Sequence, residues 1–385
     1  MPQKLRISIS TLGGITLSEE STEANQHSQP QPCMCKTLTA IDLFSGAGGL
    51  TLGLKQAGFR VLAGIEIEKI PAATYKLNHP DVHCFDKDIR KIGAVEILKA
   101  TGLKRGELDL LAGCPPCQGF STLRTRKKSN AVADDRNDLL FEFLRIVEAL
   151  SPRSIMMENV PALAHDIRMK TFLKRISVLG YKVGRKNVRV EDAAEYGVPQ
   201  RRYRMILLAS KTGQVKQAEK SEAITVRKCL EAVRLAPVGE AGDPLHDHVP
   251  NRAAHVAEII RNIPKDGGSR TSLPDHLVLE CHKKNTGFRD VYGRMSWDKV
   301  SPTMTGGCGN PSKGRYLHPE EDRAISLREA ALFQTFPADY QFDLTEGRGK
   351  VALMIGNALP PEFIRRHAVQ ISKSLSYGCP QIRGC

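Results

Sequence analysis

The fold of this chain is decided by one stretch, Leu108-Asp109-Leu110-Leu111-Ala112-Gly113, which runs into Cys114-Pro115-Pro116-Cys117-Gln118. The apolar half is typical of a strand buried in a parallel sheet. Two prolines cannot continue a strand, so the sequence predicts that Cys117 lies on a tight turn at the strand's carboxyl end. In open α/β sheets, reactive groups meet ligands at that edge. A thiol there indicates covalent catalysis by cysteine.

Strands and helices alternate on both sides of this stretch. Strands are predicted over residues 38–44, 59–66, 82–85, 108–112 and 154–158, and residues 202–209 begin or contain another. Helices are predicted over residues 49–56, 71–78, 137–150, 326–334 and 361–375. The alternation predicts an α/β fold with a mostly parallel, doubly wound sheet.

The composition changes twice along the chain. Residues 1–36 are rich in Ser, Thr, Gln and Glu, which predicts a flexible tail. The alternation stops near Lys211, and residues 213–316 are richer in Pro, Gly, His and Arg, without a long periodic segment. We therefore predict a catalytic domain of residues 37–212 plus 317–385, and a small, mostly irregular domain of residues 213–316.

The charge of the chain limits its partners. The formal net charge is +14, from 56 Lys+Arg against 42 Asp+Glu. This excess indicates a polyanionic partner, nucleic acid before membrane, although a solvated basic surface explains the charge equally well. No apolar run approaches the ~18 residues of a membrane span, and residues 1–36 lack the features of a secretory signal. We expect a cytoplasmic protein without a membrane partner.

The cysteines do not form a regular framework. Ten are scattered along the chain, as is typical of a reducing compartment. Cys114 and Cys117 have CxxC spacing, so zinc and redox roles must be weighed. No second CxxC or matching histidine pair follows, and the thioredoxin-type motif belongs near a helix start in a much smaller fold. The sequence therefore predicts no metal site.

A glycine-rich turn follows the first predicted strand, at Asp42-Leu43-Phe44-Ser45-Gly46-Ala47-Gly48-Gly49. Glycines there let the backbone approach a ligand and leave helix N–H groups free. Glu66 ends the next strand, where an acid can bind ribose hydroxyls, and Asp88-Ile89 follows the third strand. Together these residues predict a nucleoside-containing cofactor, and both nicotinamide nucleotides and S-adenosylmethionine fit them.

Taken in order, the motifs resemble those of the DNA (cytosine-5) methyltransferases. The motifs that carry the resemblance are the turn at residues 42–49, Glu66, Asp88-Ile89, Pro115-Pro116-Cys117-Gln118-Gly119-Phe120-Ser121, Glu158-Asn159-Val160, Gln200-Arg201-Arg202-Tyr203-Arg204, Arg294-Met295-Ser296-Trp297-Asp298, Gln334-Thr335-Phe336-Pro337 and Gly356-Asn357-Ala358-Leu359-Pro360. The resemblance covers most of the chain from residue 37 onward. It implies a Rossmann-like methyltransferase sheet, a small target-recognition domain at residues 213–316, S-adenosylmethionine as cofactor and double-stranded DNA as partner.

The resemblance also implies roles for individual residues. Cys117 would add to position 6 of a cytosine, and Glu158 would hydrogen-bond N3 of that base. Arg204 would hold O2 of the base, with Arg202 supporting the pocket. The implied cofactor-binding residues are Phe44, Ser45, Gly46, Ala47, Gly48, Gly49, Glu66, Ile67, Asp88, Ile89, Pro116, Leu139, Asn357 and Ala358.

The segment after Cys117 is basic, and in the family this region is a loop that closes over DNA. A duplex hides position 6 of its cytosines, so the target base is expected to flip out. The implied DNA-binding residues are Gln118, Ser121, Arg124, Arg126, Lys127, Lys128 and Arg294.

Two other functions stay open. A tRNA cytosine-5 methyltransferase shares the Pro-Pro-Cys-Gln chemistry, but its usual Cys-Phe-Thr signature is absent from this sequence. A catalytically silent DNA-binding regulator is the other, although every catalytic position is filled. Further expectations are a cognate restriction endonuclease as functional partner, a bacterial, nucleoid-associated location and a monomeric state.

Overall fold

The computed structural model describes residues 37–116, 139–184, 186–283, 287 and 289–376. Its centre is a seven-stranded sheet with the order β3-β2-β1-β4-β5-β7-β6. The strands are Thr39–Leu43 (β1), Arg60–Ile65 (β2), His83–Phe85 (β3), Leu110–Gly113 (β4), Ser154–Asn159 (β5), Val188–Asp192 (β6) and Tyr203–Ser210 (β7). This architecture confirms the predicted Rossmann-like α/β fold.

The direction of the strands fixes where a site can form. Strands β1 to β5 are mutually parallel, whereas β7 runs antiparallel to both β5 and β6. The carboxyl ends of β1 to β5 and the amino end of β7 therefore meet at one edge of the sheet. In the β5–β7 register, Glu158 pairs with Ile206 and Asn159 pairs with Met205. Residues just before Met205 consequently lie beside the end of β5.

Helices cover both faces of the sheet. They are Gly49–Gln56 (α1), Lys69–Asn78 (α2), Ala94–Thr101 (α3), Leu139–Leu150 (α4), Ile167–Val178 (α5), Val226–Val233 (α6), Ala254–Asn262 (α7), Glu280–Lys283 (α8), Leu327–Phe333 (α9), Arg348–Asn357 (α10) and Pro361–Ser376 (α11). One core packs α3, α4 and α5 against side chains such as Ile41 and Leu207, and the opposite core packs α1 and α11 against Ala40 and Ile206. Neighbouring strand residues thus serve opposite faces, because side chains alternate along a strand.

Two further cores lie after the sheet. Val226 of α6 shares a core with α9 and α10, and Ile259 and Ile260 of α7 pack with Tyr292 and Leu317. The composition of residues 213–316 did not reveal α6 and α7, because each spans at most nine residues. The domain boundaries remain a prediction. In the part of the chain that the structure describes, no helix is long and apolar enough to cross a membrane.

Candidate active site

Glu158 lies at the carboxyl end of β5 and is 1% exposed. Its Oε2 accepts a hydrogen bond from the Cys114 thiol at 3.0 Å. Its Oε1 lies 2.8 Å from Nε of Arg204, with which it forms an ion pair. Burial raises the pKa of Glu158, and the opposing effects of Arg204 and Cys114 do not cancel that rise. The raised pKa favours the protonated form of this carboxyl more than in an exposed glutamate.

Asn159, the last residue of β5, ties the end of β4 to this carboxyl group. Its Nδ2 donates to the carbonyl oxygen of Pro115 at 2.8 Å, and its Oδ1 accepts from the backbone N–H of Val160 at 2.8 Å. Pro115 is buried, and Pro116 is the last described residue before the predicted nucleophile. Cys117 lies outside the described residues, as do Gln118, Ser121, Arg124, Arg126, Lys127 and Lys128.

The two arginines that precede Met205 have different environments. Arg204 is the partner of Glu158, and its side chain keeps 17% exposure. Arg202 is buried and donates to the carbonyl oxygens of Met304 at 3.0 Å and Gly356 at 3.0 Å, and also to that of Ala358. Burial, reinforced by Arg204, lowers the pKa of Arg202 to about 9. Arg202 therefore braces the segments around it, and its predicted role in supporting the base pocket stays a prediction.

The glycine-rich turn leaves β1 with left-handed backbone at Phe44 (φ 62°), Gly46 (φ 55°) and Gly48 (φ 94°). A Cβ on Gly46 would meet no atom within 4 Å, so this part of the turn has open space beside it. A Cβ on Gly48 would lie 2.5 Å from His79 Nε2, and one on Gly49 would lie 2.5 Å from the Leu359 carbonyl oxygen. These two glycines thus allow close packing against protein.

The other residues of the turn also divide into two groups. Ala47 packs into the core shared by α9 and α10. Ser45 is buried with an Oγ that has no hydrogen-bond partner among the described residues, and Asp42 has one such oxygen, Oδ1. The other Asp42 oxygen accepts from Thr51 at 2.7 Å. Burial raises the pKa of Asp42 to about 8, with Glu66 adding to the rise.

Glu66 faces this turn from the end of β2. Its Oε2 accepts from the Gly46 N–H at 2.8 Å, and its Oε1 accepts from the Glu68 N–H at 2.8 Å. Burial raises the pKa of Glu66. Its neighbour Ile67 is 56% exposed, which is unusual for a large apolar side chain, at the same edge of the sheet. A carboxylate with fixed orientation therefore lies beside an open apolar surface.

The remaining predicted cofactor residues differ in how they could act. Both carboxylate oxygens of Asp88 accept from the Arg90 guanidinium. The Ile89 side chain is buried in the sheet core, so only the main chain of Ile89 could contact a cofactor. Leu139 is half-buried at the start of α4. Asn357 is exposed at the end of α10, next to the Ala358 carbonyl that Arg202 holds.

Arg294 was predicted to contact DNA, and its placement argues against that role. The side chain is 0% exposed. Its guanidinium donates to the carbonyl oxygens of Ile260, Ile263, His318 and Glu321, and to the Asp322 carboxylate. An arginine with its donors used inside the protein cannot also reach a phosphate. The sequence pattern could not distinguish the two roles, because both need a long cationic side chain.

Cys114 is the functional candidate that sequence reasoning missed. It was considered only as half of a CxxC pair, whereas its thiol contacts Glu158. The signal was present, because Cys114 directly follows β4 and Glu158 lies at the same end of the neighbouring strand β5.

The chain is similar to known proteins over most of its length. The family model described as C-5 cytosine-specific DNA methylase matches residues 38–373. The type II methylase M.HgiDII of Herpetosiphon aurantiacus is 37% identical over 349 residues, covering 87% of this chain and 95% of that protein. The type II methyltransferase M1.HphI of Haemophilus parahaemolyticus is 34% identical over 348 residues and covers 88% of each.

Solved structures share the fold. A prophage-encoded E. coli protein described as a DNA modification methyltransferase has a TM-score of 0.64 at 23% identity, covering 88% of this chain and 99% of that one. The Entamoeba histolytica methyltransferase EhMeth has a TM-score of 0.61 at 14% identity, covering 89% and 99%. At these identities the likeness concerns the fold.

Proposed function

Because the chain belongs to the C-5 cytosine-specific DNA methylase family and is thereby a DNA (cytosine-5) methyltransferase, we propose how it works. It transfers a methyl group from S-adenosylmethionine to C5 of a flipped-out cytosine in a short double-stranded DNA sequence, through a covalent bond between Cys117 and C6. The observation that carries this proposal is the buried Glu158 carboxyl at the carboxyl end of β5, which is paired with Arg204 at 2.8 Å.

The residues at the carboxyl edge of β1 and β2 fit S-adenosylmethionine. Gly46 has open space beside it, Ser45 has a buried hydroxyl without a partner, and Ile67 offers an exposed apolar side chain. In the proposal, Glu66 binds the ribose hydroxyls and Ile67 packs on the adenine. When bound, the cofactor supplies an electrophilic methyl group on a sulfonium. The main chain of Phe44, Ile89 and Pro116, with Leu139, Asn357 and Ala358, would complete the pocket.

Glu158 activates the base. C5 of cytosine is a poor nucleophile until a thiolate has added to C6, and that addition is easier when N3 receives a proton or a strong hydrogen bond. A carboxyl whose pKa is raised by burial can donate such a bond. Arg204 beside it would hold O2 of the base, so the two side chains recognise adjacent atoms of one edge.

Cys117 needs a fixed position relative to Glu158, because positioning of reacting groups supplies much of catalysis. The bond from Asn159 to the Pro115 carbonyl anchors the chain two residues before Cys117. The thiolate is the reactive form, and a free cysteine has a pKa of about 8.5. Arg202 and Arg204 are the cations proposed to favour the thiolate. Loss of the C5 proton and release of the thiolate would then restore the ring.

The remaining parts of the proposal concern partners. The net charge of +14 suits a polyanionic substrate. The basic residues after Cys117 are proposed to neutralise DNA phosphates, and residues 213–316 to select the target sequence. Because relatives are type II enzymes, we propose a cognate restriction endonuclease as functional partner of a monomeric enzyme.

A methyl-transfer assay tests this function. Wild type, Cys117→Ser and the isosteric Glu158→Gln are given methyl-labelled S-adenosylmethionine with duplex DNA or with transcribed tRNA. We expect labelled 5-methylcytosine in DNA from wild type, none from Cys117→Ser and a loss of about 10²–10⁴ in rate for Glu158→Gln. Equal labelling by wild type and Cys117→Ser would refute covalent catalysis. Labelling of tRNA alone would move the substrate to RNA.

A further inference from the structure

We propose that a second pocket, outside the base and cofactor sites, binds a backbone phosphate of the DNA substrate. This phosphate pocket has a volume of about 420 Å³, and its lining includes His248, Arg252, Gly306, Gly307, Lys313 and Arg348. The proposal rests on the proposed function, because it assigns a further contact to the same DNA.

The pocket is cationic without local compensation. No Asp or Glu is among the residues that line it. Arg323 also lines the pocket, but it forms ion pairs with Glu321 and Glu329 behind the wall. Three cations therefore remain for a ligand, namely Arg252, Lys313 and Arg348.

Among the described residues, these three cations have no carboxylate partner. Arg348 donates to the carbonyl oxygens of Pro244 and Leu245. Arg252 is half-buried, and neither it nor Lys313 makes a side-chain hydrogen bond or ion pair within the described part of the chain. Burial lowers the pKa of His248, and the charges of Arg348 and Arg252 lower it further. A half-buried guanidinium without an acceptor is unfavourable until an anion binds it.

A glycine turn at Gly306 and Gly307 also lines the pocket, and it is held in place by its packing. A Cβ on Gly307 would lie 2.7 Å from Lys313 Cβ, and one on Gly306 would lie 2.9 Å from Leu353. Gly356 of α10 supports the turn from below, since a Cβ there would lie 2.2 Å from the Thr305 carbonyl carbon. The absence of a Cβ at these glycines thus allows close packing against protein, and Gly306 and Gly307 line the pocket without a side chain that could block a ligand.

The position of the pocket favours DNA over a free anion. Met304, whose carbonyl oxygen Arg202 holds, precedes Gly306 by two residues, and Arg202 precedes Arg204 by two. Gly306, which lines the pocket, is therefore connected to Glu158 through Arg202 and Arg204. DNA that presents a target cytosine to Glu158 extends on both sides of that base, so its flanking phosphates are the ligands proposed for the pocket.

The test compares variants of the pocket with a matched control. Arg252→Gln and Lys313→Gln each remove one positive charge from the pocket, and Lys174→Gln removes one from the exposed surface of α5. Binding of a fluorescent, random-sequence duplex is measured over a range of salt concentrations without methyl donor. We expect the slope of log affinity against log salt to fall by about 0.9 for each pocket variant, with affinity about five- to tenfold weaker at ~0.1 M salt, and no change for Lys174→Gln.

The outcomes separate the two sources of phosphate. If both pocket variants keep the slope of Lys174→Gln, the proposal is overturned. A thermal shift with inorganic phosphate forms the second arm. Stabilisation of wild type but not of the pocket variants, with unchanged DNA slopes, would mean a small-anion site and would also overturn it. Because binding is measured without chemistry, failure here differs from failure of the proposed function, which appears only as absent methyl transfer by wild type.

Discussion

Replacing Arg294 with methionine tests whether this arginine supports the fold or contacts DNA. The side chain donates to four backbone carbonyl oxygens and to Asp322, and it joins α7 to the turn at residues 318–322. Methionine fills similar space without donors, so the carbonyl oxygens of Ile263, His318 and Glu321 would lose their bonds from Arg294. The Ile260 carbonyl keeps the N–H of Ile263, and Asp322 keeps Lys265. At about 1 kcal/mol for each of the three carbonyls that lose their donor, the expected loss is about 3 kcal/mol.

The assay can use the single tryptophan of the chain. Trp297 lies three residues after Arg294, and its ring packs edge-on against His318 with centroids 5.4 Å apart. Its fluorescence during urea unfolding therefore reports on the region that Arg294 holds. With an m-value of about 3 kcal/mol per M, the unfolding midpoint should fall by about 1 M or more.

The matched control is Arg261→Met, since Arg261 is exposed on α7 and makes no side-chain hydrogen bond or ion pair within the described residues. The free energy of unfolding of this control should change by at most about 0.5 kcal/mol. The salt slope of DNA binding by Arg294→Met, measured where the variant is folded, should equal that of wild type. Equal stability of the two variants, or a stable Arg294→Met that loses one unit of salt slope, would refute the structural role.

Three further predictions concern the site. Cys114→Ala removes a hydrogen bond that lowers the pKa of Glu158, so the pKa of Glu158 rises in this variant. Activity that needs protonated Glu158 then persists to higher pH, and the falling limb of kcat against pH moves to higher pH. Cys114→Ser keeps a donor to Glu158 and should keep the wild-type profile. An unshifted limb in Cys114→Ala would contradict this. Glu66→Gln leaves one of two backbone N–H groups without its acceptor, so the cofactor Kd measured by calorimetry should rise about tenfold with DNA affinity unchanged. Gly356→Ala places a Cβ 2.2 Å from the Thr305 carbonyl carbon, and we expect a loss of about 2 kcal/mol or more in urea unfolding; a stable variant would show that the contact yields.

Local sequence was sufficient for the elements whose pattern is strong. Helix α1 has the predicted bounds, because the glycines before it and Gly58 after it mark both ends. Buried strands such as β5 were found from their apolar runs. Helices α3, α5 and α10 and strand β6 were missed, although α3 and α5 are at least as amphipathic as α1, which was found.

The sequence by itself determined the α/β architecture and the ordered set of motifs, because apolar period, prolines and glycines act over a few neighbouring residues. Only the tertiary structure decided that β7 runs antiparallel, which brings Arg204 to the end of β5 beside Glu158. It also decided that Arg294 is buried and that Cys114 contacts Glu158. These contacts join residues from 28 to 46 positions apart. Local sequence patterns carry no information about which distant residues will contact each other in the folded protein.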